Sequence, residues 1–160
     1  MNLKLKGTPG VYVVGFTGAG KSTVARHLAH RLGWSFVDVG AEIEASRGEA
    51  GFLRIETAAI GRHVQWIERG RPAVVALGEG SFTQPDNRLL LQPNGLTVWL
   101  DCPLETVRHR VGPLARDAEA FAALYEARRE HYILADLHIP ITSDDPEITV
   151  AAILAHPLIK

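Results

Sequence analysis

Residues 15–22 read Gly15-Phe16-Thr17-Gly18-Ala19-Gly20-Lys21-Ser22, a complete G-x-x-x-x-G-K-[ST] pattern. Glycines in such a loop let successive backbone N–H groups turn inward as a nest for phosphate oxygens, and a helix beginning at the lysine adds the favourable end of its dipole. Lys21 is then expected to bridge the β- and γ-phosphates of a nucleotide, and the Ser22 hydroxyl to ligate Mg²⁺. The plainer reading is a glycine-rich turn that happens to precede a helix. The flanks argue against it. Val11-Tyr12-Val13-Val14 has the β-branched character of a buried strand, while Val24, Ala25, Leu28, Ala29 and Leu32 recur at helical spacing. The expected ligand is a nucleoside triphosphate, ATP with Mg²⁺, held by Gly18, Ala19, Gly20, Lys21, Ser22 and Thr23.

Other residues could complete the chemistry. Asp38 closes a second apolar run; a carboxylate there can hold Mg²⁺ through water, and it can equally be a turn or capping aspartate. Gly78-Glu79-Gly80 follows a third run, where glycines permit close backbone approach to a ligand and a charged residue is poor core material. Arg108, Arg110 and Arg116 flank the kinked Gly112-Pro113-Leu114 segment, and one of them could stabilise transferring phosphate, or all could be a solvated basic helix end. Arg128 and Arg129 could clamp an acceptor carboxylate in a bidentate pair, or simply lie at the surface. His27 and His30 share a helix face with no third ligand at convincing spacing, and the other histidines are scattered. Cys102, the single cysteine, reads as a small packing residue.

The elements that must position these groups alternate along the chain. Strands are expected at Val11–Val14, Ser35–Val39, Pro72–Leu77, Leu96–Asp101 and Leu137–Ile141. Helices are expected at Lys21–Leu32, Ala41–Ser46, Phe52–Arg69, Gln84–Leu91, Leu104–Arg110, Ala118–His131 and Pro146–His156. In the long helix, Phe52, Ile55, Ala59, Val64 and Ile67 form the expected buried stripe. This alternation implies an α/β fold, a parallel sheet with helices on both faces. Pro140 cannot donate to a ladder, which puts the last strand at a sheet edge. Ligands of such sheets lie beyond the carboxyl ends of the strands, where Gly15–Ser22, Asp38–Gly40, Gly78–Gly80 and Asp101-Cys102 fall.

The chain has 160 residues, 46% of them apolar and 22% charged, with a net charge of −1. That suits one globular domain and gives no bulk attraction to nucleic acid or an anionic membrane. A lone cysteine excludes an intramolecular disulfide and fits a reducing cytoplasm. The start, Met1 to Gly10, has no apolar core of a signal peptide, and no apolar run approaches a membrane span.

Taken together, these residues resemble the shikimate kinase family along nearly the whole chain. The likeness is carried by Gly15–Thr23, Phe36-Val37-Asp38, Ala41–Glu44, Val74–Gly78, Asn87-Arg88, Val98–Asp101, and Leu124–Arg129 through Ala135-Asp136-Leu137, in order. The resemblance implies a P-loop NTPase three-layer sandwich, a five-stranded parallel sheet of order 2-3-1-4-5. It implies an acceptor region at about 40–70 and a lid at about 110–118. It also implies ATP- and Mg²⁺-dependent phosphorylation of the 3-hydroxyl of shikimate, in aromatic amino-acid biosynthesis.

By the same resemblance the nucleotide residues carry over, with Ser22 and Asp38 at the metal. The acceptor residues depart from the pattern: the family's second aspartate falls at Gly40, an arginine of the long helix at Leu53 with Arg54 one place late, the middle glycine of the triad at Glu79, and the lid arginine at Gly112. The stretch from Glu44 to Phe52 is also shorter than the family's. The expected catalytic set is Lys21, Asp38, Glu79 and Arg116, with Arg54, Gly78, Glu79, Gly80 and Arg128 at the acceptor. Glu79 is expected near Mg²⁺ or in place of the carboxylate lost at Gly40. The expected partner is a small molecule, shikimate or a related hydroxy acid, for a monomer that binds neither nucleic acid nor membrane. The alternative is a nucleotide-binding protein of this type with another acceptor or no turnover, in a regulatory or interaction role.

Overall fold

The computed structural model describes residues 10–44 and 49–159, and their side chains except those of 42–44, 49–54 and 114. Five parallel strands form one sheet in the order β2-β3-β1-β4-β5. They are β1 (Gly10–Val14), β2 (Ser35–Asp38), β3 (Ala73–Ala76), β4 (Leu96–Asp101) and β5 (Leu137–Pro140). The helices between and after them are α1 (Lys21–Leu32), α2 (Val39–Glu44), α3 (Glu49–Glu68), α4 (Pro85–Leu91), α5 (Leu104–Val111), α6 (Ala118–Tyr132) and α7 (Pro146–Leu154). Short 3₁₀ turns occupy Ser81–Thr83 and Gly112–Ala115.

β1 is central, paired with β3 along one edge and β4 along the other. All five of its residues are buried, and Val11 registers with Val74 of β3 and with Leu96 of β4. A continuous apolar run of this kind suits a strand with helices on both sides. Each fully buried Val or Leu contributes about 1.5–3 kcal/mol relative to exposure. The start of β4 is tight: a Cβ on Gly95 would fall 2.2 Å from the Gly10 carbonyl oxygen, so any side chain there would force the two strands apart. β5, with Pro140, lies at an edge as its proline requires.

Several element boundaries differ by a few residues from the sequence-based expectation. β2 stops at Asp38 rather than Val39, because the Asp38 carboxylate accepts a hydrogen bond from Ala41 N at 2.9 Å and starts α2 two residues early. Strands β3 and β5 are each shorter than expected, at Ala73–Ala76 and Leu137–Pro140. The buried stripe of α3 is also rotated. Ile55 is 38% exposed, while Glu56, Ala59, Ile60, Val64 and Ile67 face inward. One residue on a helix is about 100° of rotation, so the stripe's position depends on what lies opposite. Here Glu56 finds polar partners beneath the glycine segment after β3. The Phe52 side chain lies outside the described residues.

Candidate nucleotide and acceptor site

The loop after β1 has the backbone that its glycines were expected to supply. Gly18 and Gly20 have φ of 81° and 92°, a region that side-chain-bearing residues rarely adopt. A Cβ at Gly18 would also meet Val111 Cγ1 at 2.9 Å. Gly20 is the N-cap of α1 and offers no side-chain hydrogen bond, which leaves the first N–H groups of the helix to a ligand. Lys21 donates to the Phe16 carbonyl oxygen at 3.1 Å, arching back over the loop. Protein surrounds it on most sides, and this desolvation brings its pKa down to about 8 even though Glu79 and Asp38 pull it upward. An ammonium so placed has much to gain from phosphate oxygens.

Next to Lys21, the Ser22 hydroxyl donates to Asp38 Oδ2 at 2.5 Å. Asp38 thus caps α2 with one oxygen and turns the other to the loop, where it accepts from Ser22. A hydroxyl and a carboxylate sharing one point at a phosphate nest are hard oxygen donors, the set that Mg²⁺ prefers.

Beside the loop opens a cavity of about 1080 Å³, bounded by Gly18, Thr23, Arg110, Thr142 and Pro146 among others. Arg110 spans it: one terminal nitrogen donates to the Gly18 carbonyl at 2.9 Å and the other to Asp144 at 2.7 Å. Asp144 is almost wholly exposed, so this ion pair is weakly worth keeping and can yield to a ligand.

On the other side of Lys21 lies the glycine segment after β3. Gly78 approaches Gly40: a Cβ built on Gly40 would be 3.3 Å from Asp38 Oδ1 and 3.5 Å from Gly78 Cα. Beneath this segment Glu56 is 1% exposed and accepts from Ser81 Oγ at 2.7 Å. Asn87 donates to Glu56 at 3.4 Å and to the Ser81 carbonyl at 2.9 Å, and accepts from Thr57 Oγ1 at 2.7 Å. Burial pushes the Glu56 pKa upward against the pull of these hydrogen bonds. A Cβ at Gly78 would meet Glu56 Oε2 at 3.1 Å and Ser81 Oγ at 3.3 Å, so that network sets the floor under the glycines. Above it Glu79 Oε1 accepts from Arg128 Nε at 2.7 Å, and the Tyr132 hydroxyl donates to the Glu79 carbonyl at 2.7 Å. Arg128 and Tyr132, one turn apart on α6, therefore grip the same residue.

Of the residues singled out in the sequence, Gly18–Ser22 and Asp38 gather at the loop, and Gly78, Glu79, Gly80 and Arg128 gather beside it. Glu79 hydrogen-bonds Arg128 and makes no hydrogen bond to the Ser22–Asp38 pair. Arg116 is exposed, and its side chain makes no hydrogen bond or ion pair among the described residues; the arginine that touches the loop is Arg110. Arg129 instead holds Asp101 and stacks over Trp99, away from Glu79. Arg108 pairs with Glu105 on its own helix. The Arg54 side chain lies outside the described residues. Among the described residues no group of three His, Cys, Asp or Glu side chains is placed to hold a metal, and no helix is long and apolar enough to cross a membrane.

Sequence reasoning missed Glu56, Ser81, Asn87 and Tyr132. The signal for Glu56 was a carboxylate one place from an apolar stripe, which reads as solvent-facing until its partners are known.

The Shikimate kinase family model matches residues 17–156. A shikimate kinase of Synechococcus elongatus is 39% identical over 164 aligned residues, covering 90% of this chain and 84% of that protein. That of Persephonella marina is 34% identical over 90% of this chain and 96% of its own. The solved shikimate kinase of Acinetobacter baumannii in complex with shikimate has a TM-score of 0.79 to this structure at 30% identity, covering 92% of this chain and 91% of that one. A family model matching residues 17–156, with relatives this similar over most of their length, leads to one assignment: the chain belongs to the shikimate kinase family.

Proposed function

We propose that the protein transfers the γ-phosphate of ATP to the 3-hydroxyl of shikimate, a step of aromatic amino-acid biosynthesis. One observation carries this reading. Arg128 is hydrogen-bonded to Glu79 in the glycine segment that packs on Gly40, two residues past the Asp38 that Ser22 contacts, so the residues expected at the phosphates and at the acceptor line one opening. The relative from Acinetobacter baumannii, solved with shikimate, supports the choice of acceptor.

In this reading the N–H groups of Gly18–Ser22 cradle the phosphates and Lys21 leaves the Phe16 carbonyl to bridge the β- and γ-phosphates. Ser22 and Asp38 would hold Mg²⁺, which when bound would neutralise charge on the phosphate oxygens. The base lies in the cavity between Arg110 and Pro146. Arg128 holds the acceptor's carboxylate, which orients its 3-hydroxyl toward the γ-phosphorus. The new O–P bond forms as the bond to ADP breaks, and the hydroxyl proton leaves through the transferred phosphate oxygens to solvent. Such transition states are loose, so positioning and charge matter more than a strong base, and the absence of a carboxylate at Gly40 is compatible with turnover.

The test is ADP release by purified protein with MgATP, with and without shikimate, and mass spectrometry of the product. One shikimate 3-phosphate should appear for each ADP. Nucleotide binding without shikimate-dependent ADP release would favour the binding protein without turnover.

A further inference from the structure

A guanidinium has two edges that can grip a carboxylate, the Nε side and the end formed by its two terminal nitrogens. In Arg128 only the Nε edge is taken, by a single oxygen of Glu79 at 2.7 Å. Its terminal nitrogens make no hydrogen bond among the described residues and lie 3.8 Å from the position a Gly80 Cβ would occupy. The absence of a side chain at Gly80 leaves that fork open. Both partners of the pair are 27% exposed, half-sheltered at the mouth of the acceptor side. The backbone of Glu79 is itself held by the Tyr132 hydroxyl at 2.7 Å, so the anchor is fixed at two points.

We propose that Glu79 is a positioning residue, which pins Arg128 through Nε and presents its terminal fork to the acceptor's carboxylate. The inference rests on the shikimate reading given above and assigns a role to a side chain that the family pattern replaces with glycine. An untethered arginine has many rotamers to lose when it binds, and a residue that orders it in advance removes that cost. The opposite possibility is competition, in which Glu79 occupies the arginine and repels the acceptor. A competing carboxylate would take the fork, where two parallel hydrogen bonds are available. Glu79 instead makes one bond at the other edge. Arg128 itself balances the Glu79 charge through this ion pair.

Two substitutions separate the roles. Glu79→Gln keeps a carbonyl oxygen for Nε and removes the charge, whereas Glu79→Ala removes both. With saturating MgATP, Glu79→Ala should raise the KM for shikimate roughly three- to tenfold. Its kcat should stay within about twofold of wild type, and Glu79→Gln should restore KM to within about twofold, the scale of a small contact change. In an Arg128→Ala background, adding Glu79→Ala should change KM no further, because the tether acts only through the arginine. A fall in KM in both single variants would overturn the inference in favour of competition. A large loss of kcat in both with KM unchanged would overturn it in favour of proton transfer. Either result leaves wild-type turnover of shikimate, and so the family reading, intact. If wild type itself shows no shikimate-dependent turnover, the acceptor assignment fails, and the role of Glu79 falls with it.

Discussion

Ser22 donates its hydroxyl proton to Asp38 at 2.5 Å, linking the loop after β1 to the end of β2, which stands two strands away in the sheet. β3 separates the two strands, so the contact exists only because both strands end at the same level and turn toward one opening. The pair sets two oxygen donors side by side at the loop. Lys21 is the adjacent residue of the loop, and Glu79 is paired with Arg128.

Asp38→Asn should keep the cap on α2, because an amide oxygen can still accept from Ala41 N. It should lose affinity for the metal. The Mg²⁺ concentration for half-maximal activity should rise about 10- to 100-fold, as for other residues that support a metal. A magnesium titration of steady-state rate checks this, and an unchanged midpoint would remove Asp38 from the metal site.

Lys21 titrates near pH 8 in the free protein, because burial disfavours its charge. Bound phosphate favours the charged form and raises that pKa. At pH above about 8 ATP binding must therefore take up a proton, and affinity should fall by up to about tenfold per pH unit. Calorimetry at pH 9 in buffers of different ionisation heat should register the uptake. Lys21→Ala should abolish it and weaken binding by about 10- to 100-fold, the worth of a charge-assisted contact.

Arg110 and Arg116 should behave differently. Arg110 touches Gly18 and borders the cavity, whereas Arg116 is exposed. Arg110→Ala should raise the KM for ATP about three- to tenfold, and Arg116→Ala should change it by less than about twofold. The reverse order would mean that the segment around Gly112 closes over the nucleotide in a way this conformation does not display.

Glu56→Ala should be destabilising, since it strands Ser81 and Asn87 beneath the glycines. The expected loss is about 2–3 kcal/mol, or roughly 5–10 °C in Tm. Glu56→Gln should lose less. Because the folded-state pKa of Glu56 is raised by burial, the folded protein holds a proton that the unfolded chain releases. Stability from this group therefore falls as pH rises from the ordinary carboxylate value through the raised one. Glutamine has no proton to lose. The Tm of Glu56→Gln relative to wild type should improve between pH 4 and pH 7, and a parallel pair of melting curves across that range would contradict the shift.

The sequence by itself determined the strands and helices, their alternation and the phosphate loop, because each rests on interactions between near neighbours. Gly18 and Gly20 declare a backbone that few other residues adopt, and Val11–Val14 declares a strand covered on both faces. Pro140 placed its strand at an edge for want of a hydrogen-bond donor. The pairings around the glycine segment after β3 were decided only by tertiary structure. The Glu79–Arg128 pair spans 49 positions and the Ser81–Glu56 bond 25, and no local spacing records which carboxylate meets which donor. α3 illustrates the reason: a rotation of one residue exposes Ile55 and buries Glu56, and polar partners from Ser81 and Asn87 settle which way the helix faces. The choice between Arg110 and Arg116 is of the same kind. Both are basic residues at a helix end, and only the packing of α5 against the loop puts one of them on Gly18.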